Sequence, residues 1–189
     1  LIKAYHSNIA GFVGYSRGTV LIEDSYTTGD VITAAQSYDV GAFVGFAIEN
    51  TTINRCYATG NVSTGVNILV GEGDNYDVGG FAGGLGNGTA SNIPGTSTIS
   101  NSYYTGNVSN NGEDIYTTGG FVGTVYDGGV VSNSYTTANV TVINPSANDV
   151  NGPNETGGFV GLTRQRNLSS EPTITNCYAT GTVDVGTGA

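Results

Sequence analysis

The side chains best suited to chemistry are few. The chain holds one imidazole, His6, and two thiols, Cys56 and Cys177. A single His cannot complete a zinc site, and no Cys–His pairing stands at ligand spacing. His6 could assist a serine nucleophile only if residues distant in sequence converged on it, so a surface or capping role is expected. Carboxylates are more numerous, fifteen Asp and Glu against five Lys and Arg, for a net charge of −10. Glu23 and Asp24 are adjacent, so on a strand their side chains point to opposite faces. No pair of acids is placed for the work of glycan cleavage, and neither catalytic nor cofactor-binding residues are expected. Two inserts, Glu72-Gly73-Asp74-Asn75-Tyr76-Asp77 and Asn111-Gly112-Glu113-Asp114, combine hard oxygen ligands with glycine turns. That chemistry suits calcium, making Glu72, Asp74, Asp77, Glu113 and Asp114 the metal candidates. The spacing does not match the twelve-residue calcium loop, and solvated loop charge is the plainer alternative.

The elements that must carry these groups follow from composition and repetition. An acidic chain with five basic residues has little with which to displace counterions from a phosphate backbone, so no nucleic-acid partner is expected. No apolar run approaches the roughly 18 residues that would span a bilayer. Charged residues make up only 11% of the chain and aromatics 10%, the reverse of a disordered composition. Met and Trp are absent, Gly reaches 31, and the polar content is Asn, Ser and Thr, which favour strands and turns.

Five copies of a paired motif organise the sequence. Gly11-Phe12-Val13-Gly14 recurs as Ala42-Phe43-Val44-Gly45, Gly80-Phe81-Ala82-Gly83, Gly120-Phe121-Val122-Gly123 and Gly158-Phe159-Val160-Gly161. Each copy is followed by a segment of the type Asn101-Ser102-Tyr103-Tyr104-Thr105-Gly106-Asn107-Val108, its tyrosines being Tyr26, Tyr57, Tyr103, Tyr135 and Tyr178. Constant cores with linkers of variable length mark stacked supersecondary units whose loops project outward. The repeats run over 10–40, 41–78, 79–118, 119–156 and 157–189, a single repeat domain spanning 1–189.

The pairing of GGFVG with an NSYATGNV-like segment resembles the GLUG motif, named for Gly-Leu-any-Gly, with Phe or Val in the Leu place. Ala42, Ala82 and Ala138 are mild departures, while the inserts Val66–Val78 and Gly84–Thr98 depart further. Such repeats occur in bacterial adhesin-like surface proteins and in non-catalytic regions of immunoglobulin A1-cleaving metallopeptidases. The resemblance implies an extracellular or cell-surface setting, in a segment of a longer protein, without implying one ligand.

Read from the residues alone, each repeat holds three short strands, in the first copy Phe12–Tyr15, Thr19–Tyr26 and Asp30–Ala34, separated by glycine corners. Three strands per turn make a parallel β-solenoid of about five coils, expected to be right-handed because parallel crossovers are. At about 4.8 Å per coil, equivalent residues stack into ladders. Phe12, Phe43, Phe81, Phe121 and Phe159 form one in the core, and the five motif tyrosines form a second whose hydroxyls reach a corner or solvent. Burial of these ten aromatics would offset much of the ordering cost. Thr28, Thr59, Thr105, Thr137 and Thr180 form a hydroxyl ladder, and Asn101, Asn133 and Asn176 stack at a corner that tolerates the left-handed conformation. Cys56 and Cys177 occupy the place of Ser25, Ser102 and Ser134, about 14 Å apart over three coils, so two free thiols are expected.

Seven Asn-x-Ser/Thr sequons, at Asn50, Asn61, Asn87, Asn107, Asn139, Asn154 and Asn167, matter only in a glycosylating host. Ice binding is disfavoured by the varied neighbours of the Thr ladder. The function expected is a non-enzymatic structural or binding segment, adhesin-like, presenting loops or a face to a host protein, glycan or matrix partner. Two alternatives are a filament subunit stacking end to end and, behind it, a polysaccharide-active enzyme.

Overall fold

The computed structural model describes residues 6–34, 37–65, 76–87, 95–111, 116–144, 155–165 and 170–187. Twenty-three strands and no helix lie within them, and every strand pairing is parallel. The first sheet runs β1 (His6–Ala10), β5 (Ser37–Gly41), β9 (Val78–Gly79), β14 (Thr117–Gly119), β19 (Glu155–Gly157). The second contains the long β2 (Val13–Glu23) and β6 (Val44–Asn54), then β10 (Ala82–Leu85), β15 (Val122–Tyr126) and β20 (Val160–Arg164) on one half. Its other half is β11 (Ser97–Ser100), β16 (Gly129–Ser132) and β21 (Thr173–Thr175). The third stacks the dipeptides β3 (Tyr26–Thr27), β7 (Tyr57–Ala58), β12 (Tyr103–Tyr104), β17 (Tyr135–Thr136) and β22 (Tyr178–Ala179). The fourth is β4 (Val31–Ile32), β8 (Val62–Thr64), β13 (Val108–Asn111), β18 (Val140–Asn144) and β23 (Val183–Thr187). Each coil visits the sheets in that order, so the chain is a parallel β-solenoid of five coils.

Four sheets line the coil, where the sequence suggested three. The additional sheet precedes the Phe motif, in segments that share little beyond a closing glycine or alanine. The strands expected over Phe12–Tyr15 and Thr19–Tyr26 are one strand in coil 1. It bends at Gly18 (φ 91°) and stops at Glu23, because Asp24 turns the corner at φ 49°. In coils 3 to 5 that bend opens and the strand becomes two.

The motif's last glycine is a steric requirement. A Cβ on Gly83 would lie 2.4 Å from the Asp39 carbonyl carbon, and one on Gly123 2.7 Å from that of Asp77. The first sheet's backbone therefore rests directly on this glycine column. Inside, Val40, Phe43, Val44, Ile53, Val62, Phe81, Ile99 and Phe121 belong to one continuous buried core. Gly80 and Tyr104 share space across it: a Cβ at Gly80 would fall 2.2 Å from the Tyr104 ring. One coil earlier the same two positions are Ala42 and Ala58, a small ring-free pair that leaves room for the extra methyl.

Candidate functional site

Three corners are constant through the molecule. Two residues join the first sheet to the second (42–43 in coil 2) and two join the second to the third (55–56), while three join the third to the fourth (59–61), in every coil. Length varies at two places only: the bend inside the second sheet, with 86–96 in coil 3 and 165–172 in coil 5, and the link to the next coil. Those links run over 33–36, 65–77, 112–116 and 145–154. The inserts read as Val66–Val78 and Gly84–Thr98 are shorter in fact, since Val78, Gly84–Leu85 and Ser97–Thr98 belong to strands.

The constant corners frame a regular face on the third sheet. Its tyrosines stack with ring centroids 5.0, 4.9, 5.2 and 5.1 Å apart and planes within 11°. They are not core residues: Tyr26 is 58% and Tyr178 56% exposed, and the three between them are half-buried. In the three inner coils the buried residue of each strand is the next one, Ala58, Tyr104 and Thr136, while Thr27 is half-buried and Ala179 exposed in the end coils, so the expected burial of ten aromatics does not hold. A two-residue strand has no alternation from which to read its inner side. Tyr104, fully buried, donates its hydroxyl to the carbonyls of Gly60 at 2.9 Å and Asn107 at 3.0 Å. Burial raises its phenol above the ordinary value.

Beside the tyrosines, Thr28, Thr59, Thr105, Thr137 and Thr180 all face solvent. Asp24, Arg55, Asn101, Asn133 and Asn176 hold the preceding corner at φ between 48° and 54°. Asn176 donates to Asn133 at 3.2 Å, while Asn101 donates to Asn54 at 2.8 Å. Arg55 grips Asp24 with two bonds of 2.7 and 2.8 Å and lies 3.6 Å from Glu23. Glu23 and Asp24 thus reach one guanidinium instead of opposite faces, because the left-handed corner interrupts the alternation. The Arg55 hydrogen bond holds the Asp24 carboxyl below its usual range.

The following corner carries a ladder that the sequence reading missed. The Asn61 amide nitrogen donates to Asp30 at 2.8 Å, that of Asn107 to Asn61 at 3.0 Å, Asn139 to Asn107 at 3.2 Å, and Thr182 to Asn139 at 3.0 Å. Its signal was present as the recurring Asn-Val, read only as sequons. Among the sequons, Asn87 is buried with its amide on the Gly95 carbonyl at 3.0 Å. Asn154 and Asn167 lie outside the described residues.

The Phe column stacks at 4.6, 4.8, 4.9 and 4.9 Å. Phe43, Phe81 and Phe121 are fully buried, whereas Phe12 is 45% exposed. Cys56 and Cys177 are free thiols, raised by burial, and both point at the carbonyl two residues back, as Ser25, Ser102 and Ser134 do. His6 lies in β1, with its side chain outside what is described.

Of the calcium candidates, Glu72, Asp74, Glu113 and Asp114 fall outside the described residues. Asp77 is buried, and its carboxylate accepts from Thr117 at 2.8 Å, Thr124 at 2.6 Å and Tyr126 at 2.5 Å. Among the described residues no three His, Cys, Asp or Glu side chains gather as a metal site. A third aromatic stack, Tyr38, Tyr76 and Tyr116, runs along the first sheet at 4.7 and 3.9 Å. The chemistry on offer is hydrogen bonding and ring contact along a constant face, with the differences in chain length confined to two places in the coil.

The family model of the GLUG motif matches residues 152–184, which hold the fifth coil. No curated protein and no solved structure matches the chain.

Proposed function

Taking as premise a chain that carries the GLUG motif, we propose that it is a non-enzymatic scaffold of an exported, cell-surface or secreted repeat protein, holding variable loops at fixed height for a host, glycan or matrix partner. The observation that carries this reading is the confinement of all length variation to two edges, while three corners and the face between them stay constant. Recognition of diverse partners concentrates on loops borne by a rigid frame. The stacked tyrosines of the inner coils offer a glycan little, because their faces are turned to each other, and the outer faces of Tyr26 and Tyr178 stand at opposite ends of the column. The partner is therefore expected at the loops.

A binding array of glycans and host matrix proteins tests this, comparing the full chain with versions in which 66–75 or 88–94 is replaced by a short Gly-Ser link. Retention of every ligand by both shortened chains would refute loop recognition. Depolymerisation of any glycan by the full chain would refute the non-enzymatic reading.

End-to-end stacking is a second reading, favoured by apolar exposure at both ends. Phe12 is 45%, Val183 46% and Val185 58% exposed, although equivalent residues of inner coils are buried. Unpaired parallel edges invite a matching strand. Light scattering and negative-stain microscopy over a range of concentrations would show lengthening rods if the copies stack, and a constant monomer mass if they do not.

A further inference from the structure

The chain segments that open coils 2 and 3 place two acids one above the other. Val40 pairs with Val78, and the Val40 amide donates to the Asp77 carbonyl at 3.1 Å, so Asp39 and Asp77 hold the same register on neighbouring strands. Both backbones are left-handed, at φ 50° and 42°. Asp77 is buried and Asp39 half-buried, and both lie beside a second apolar cluster formed by Phe46, Ile48 and Tyr126, whose tyrosine hydroxyl reaches Asp77. Asp39 lies near Gly84, against which the Phe46 ring also packs. Three hydroxyls, from Thr117, Thr124 and Tyr126, already donate to Asp77. Hydroxyl donors of this kind favour a charged acceptor. A second full charge beside it, at about the spacing of parallel strands, would be repelled.

We propose that Asp39 and Asp77 share one proton, and that this pair is a pH-sensitive clasp holding the opening strands of coils 2 and 3 against the outside of the second sheet. The proton resides on Asp39 and bridges to Asp77, whose remaining acceptor capacity is taken by the three hydroxyls. Loss of the proton to solvent leaves two carboxylates facing each other with no counter-ion among the described residues. The groups around them are Asn8 on β1, Phe46 on β6, Gly84 on β10, Thr117 on β14, and Thr124 and Tyr126 on β15, none of them basic. Burial first, then the Asp77 charge and the hydrogen bond to it, push the Asp39 carboxyl up to about 8.

The sign follows from linkage. An unfolded Asp titrates near 3.9, so between about pH 4 and 8 the folded chain holds a proton that the unfolded chain lacks. The clasp's contribution is complete below pH 4, declines as pH rises, and is gone above about 8. Only His6, Cys56 and Cys177 are other side chains whose ordinary titration falls between pH 5 and 9, which keeps that window clear.

Two measurements test the clasp. Carbon-13 titration of the Asp carboxyls in the unaltered chain should find one group titrating near pH 8; all of them titrating near 4 would overturn the proposal. Melting temperature is then followed from pH 5 to 9. The unaltered chain should lose about 10 °C across this range, and Asp39→Asn, which keeps the shape without the titration, should remove that slope. An Asp39→Asn chain with an undiminished slope would equally overturn it. If Asp39→Asn does not fold, the carboxyl titration still decides.

Discussion

The Phe column and the Tyr column have nearly the same geometry and opposite surroundings. Rings repeat at 4.6 to 4.9 Å in one and 4.9 to 5.2 Å in the other. Yet Phe81 is fully buried, while Tyr103, in the same coil, is partly open. Ring spacing in a parallel coil is imposed by the strand spacing, so stacking alone does not reveal which column supports the fold. What differs is the water removed and the cavity that truncation would leave.

The largest effect expected is therefore Phe81→Ala, with neighbours above and below and no access for solvent to refill the gap. It should cost about 3–5 kcal/mol in denaturant unfolding. A loss below 1 kcal/mol would show that the column is not the core. Tyr104→Phe comes next, taking from the Gly60 carbonyl its hydroxyl donor in the interior, while the Asn107 carbonyl keeps the Val62 amide, at a cost of about 1–3 kcal/mol. Tyr103→Ala should cost about 0.5–1.5 kcal/mol, the worth of a stacked pair at a partly wet surface. A Tyr103→Ala penalty equal to that of Phe81→Ala would erase the distinction between the two columns. Smallest is Cys56→Ser, within about 0.5 kcal/mol, because Ser102 and Ser134 make the same bond to the carbonyl two residues back. Thiol titration after denaturation should count two free groups in the unaltered chain and one in this variant.

Legibility in the sequence follows the same division. Five coils, the Phe stack, the left-handed Asn corner and the interchangeable Cys and Ser were readable because spacing across those corners never changes. The opening strand was not, since SYDVG and ETG share only the closing glycine, and Asp39 and Asp77 lie in what looked like linker. The inner side of the third sheet was also missed. Its signal sat in the position after each tyrosine, where Tyr104 faces Gly80 and Ala58 faces Ala42: the side chain that varies with its partner across the core is the one inside.

Distances across coils test the central claim of in-phase stacking most directly. In a Cys56→Ser, Cys177→Ser background, spin labels at the exposed pair Thr28 and Thr180 span four coils, and at Thr59 and Thr180 three. Dipolar spectroscopy should give means near 19 and 14 Å, a difference of about 4.8 Å per coil. Equal means for the two pairs, or a shorter one across four coils, would contradict the account.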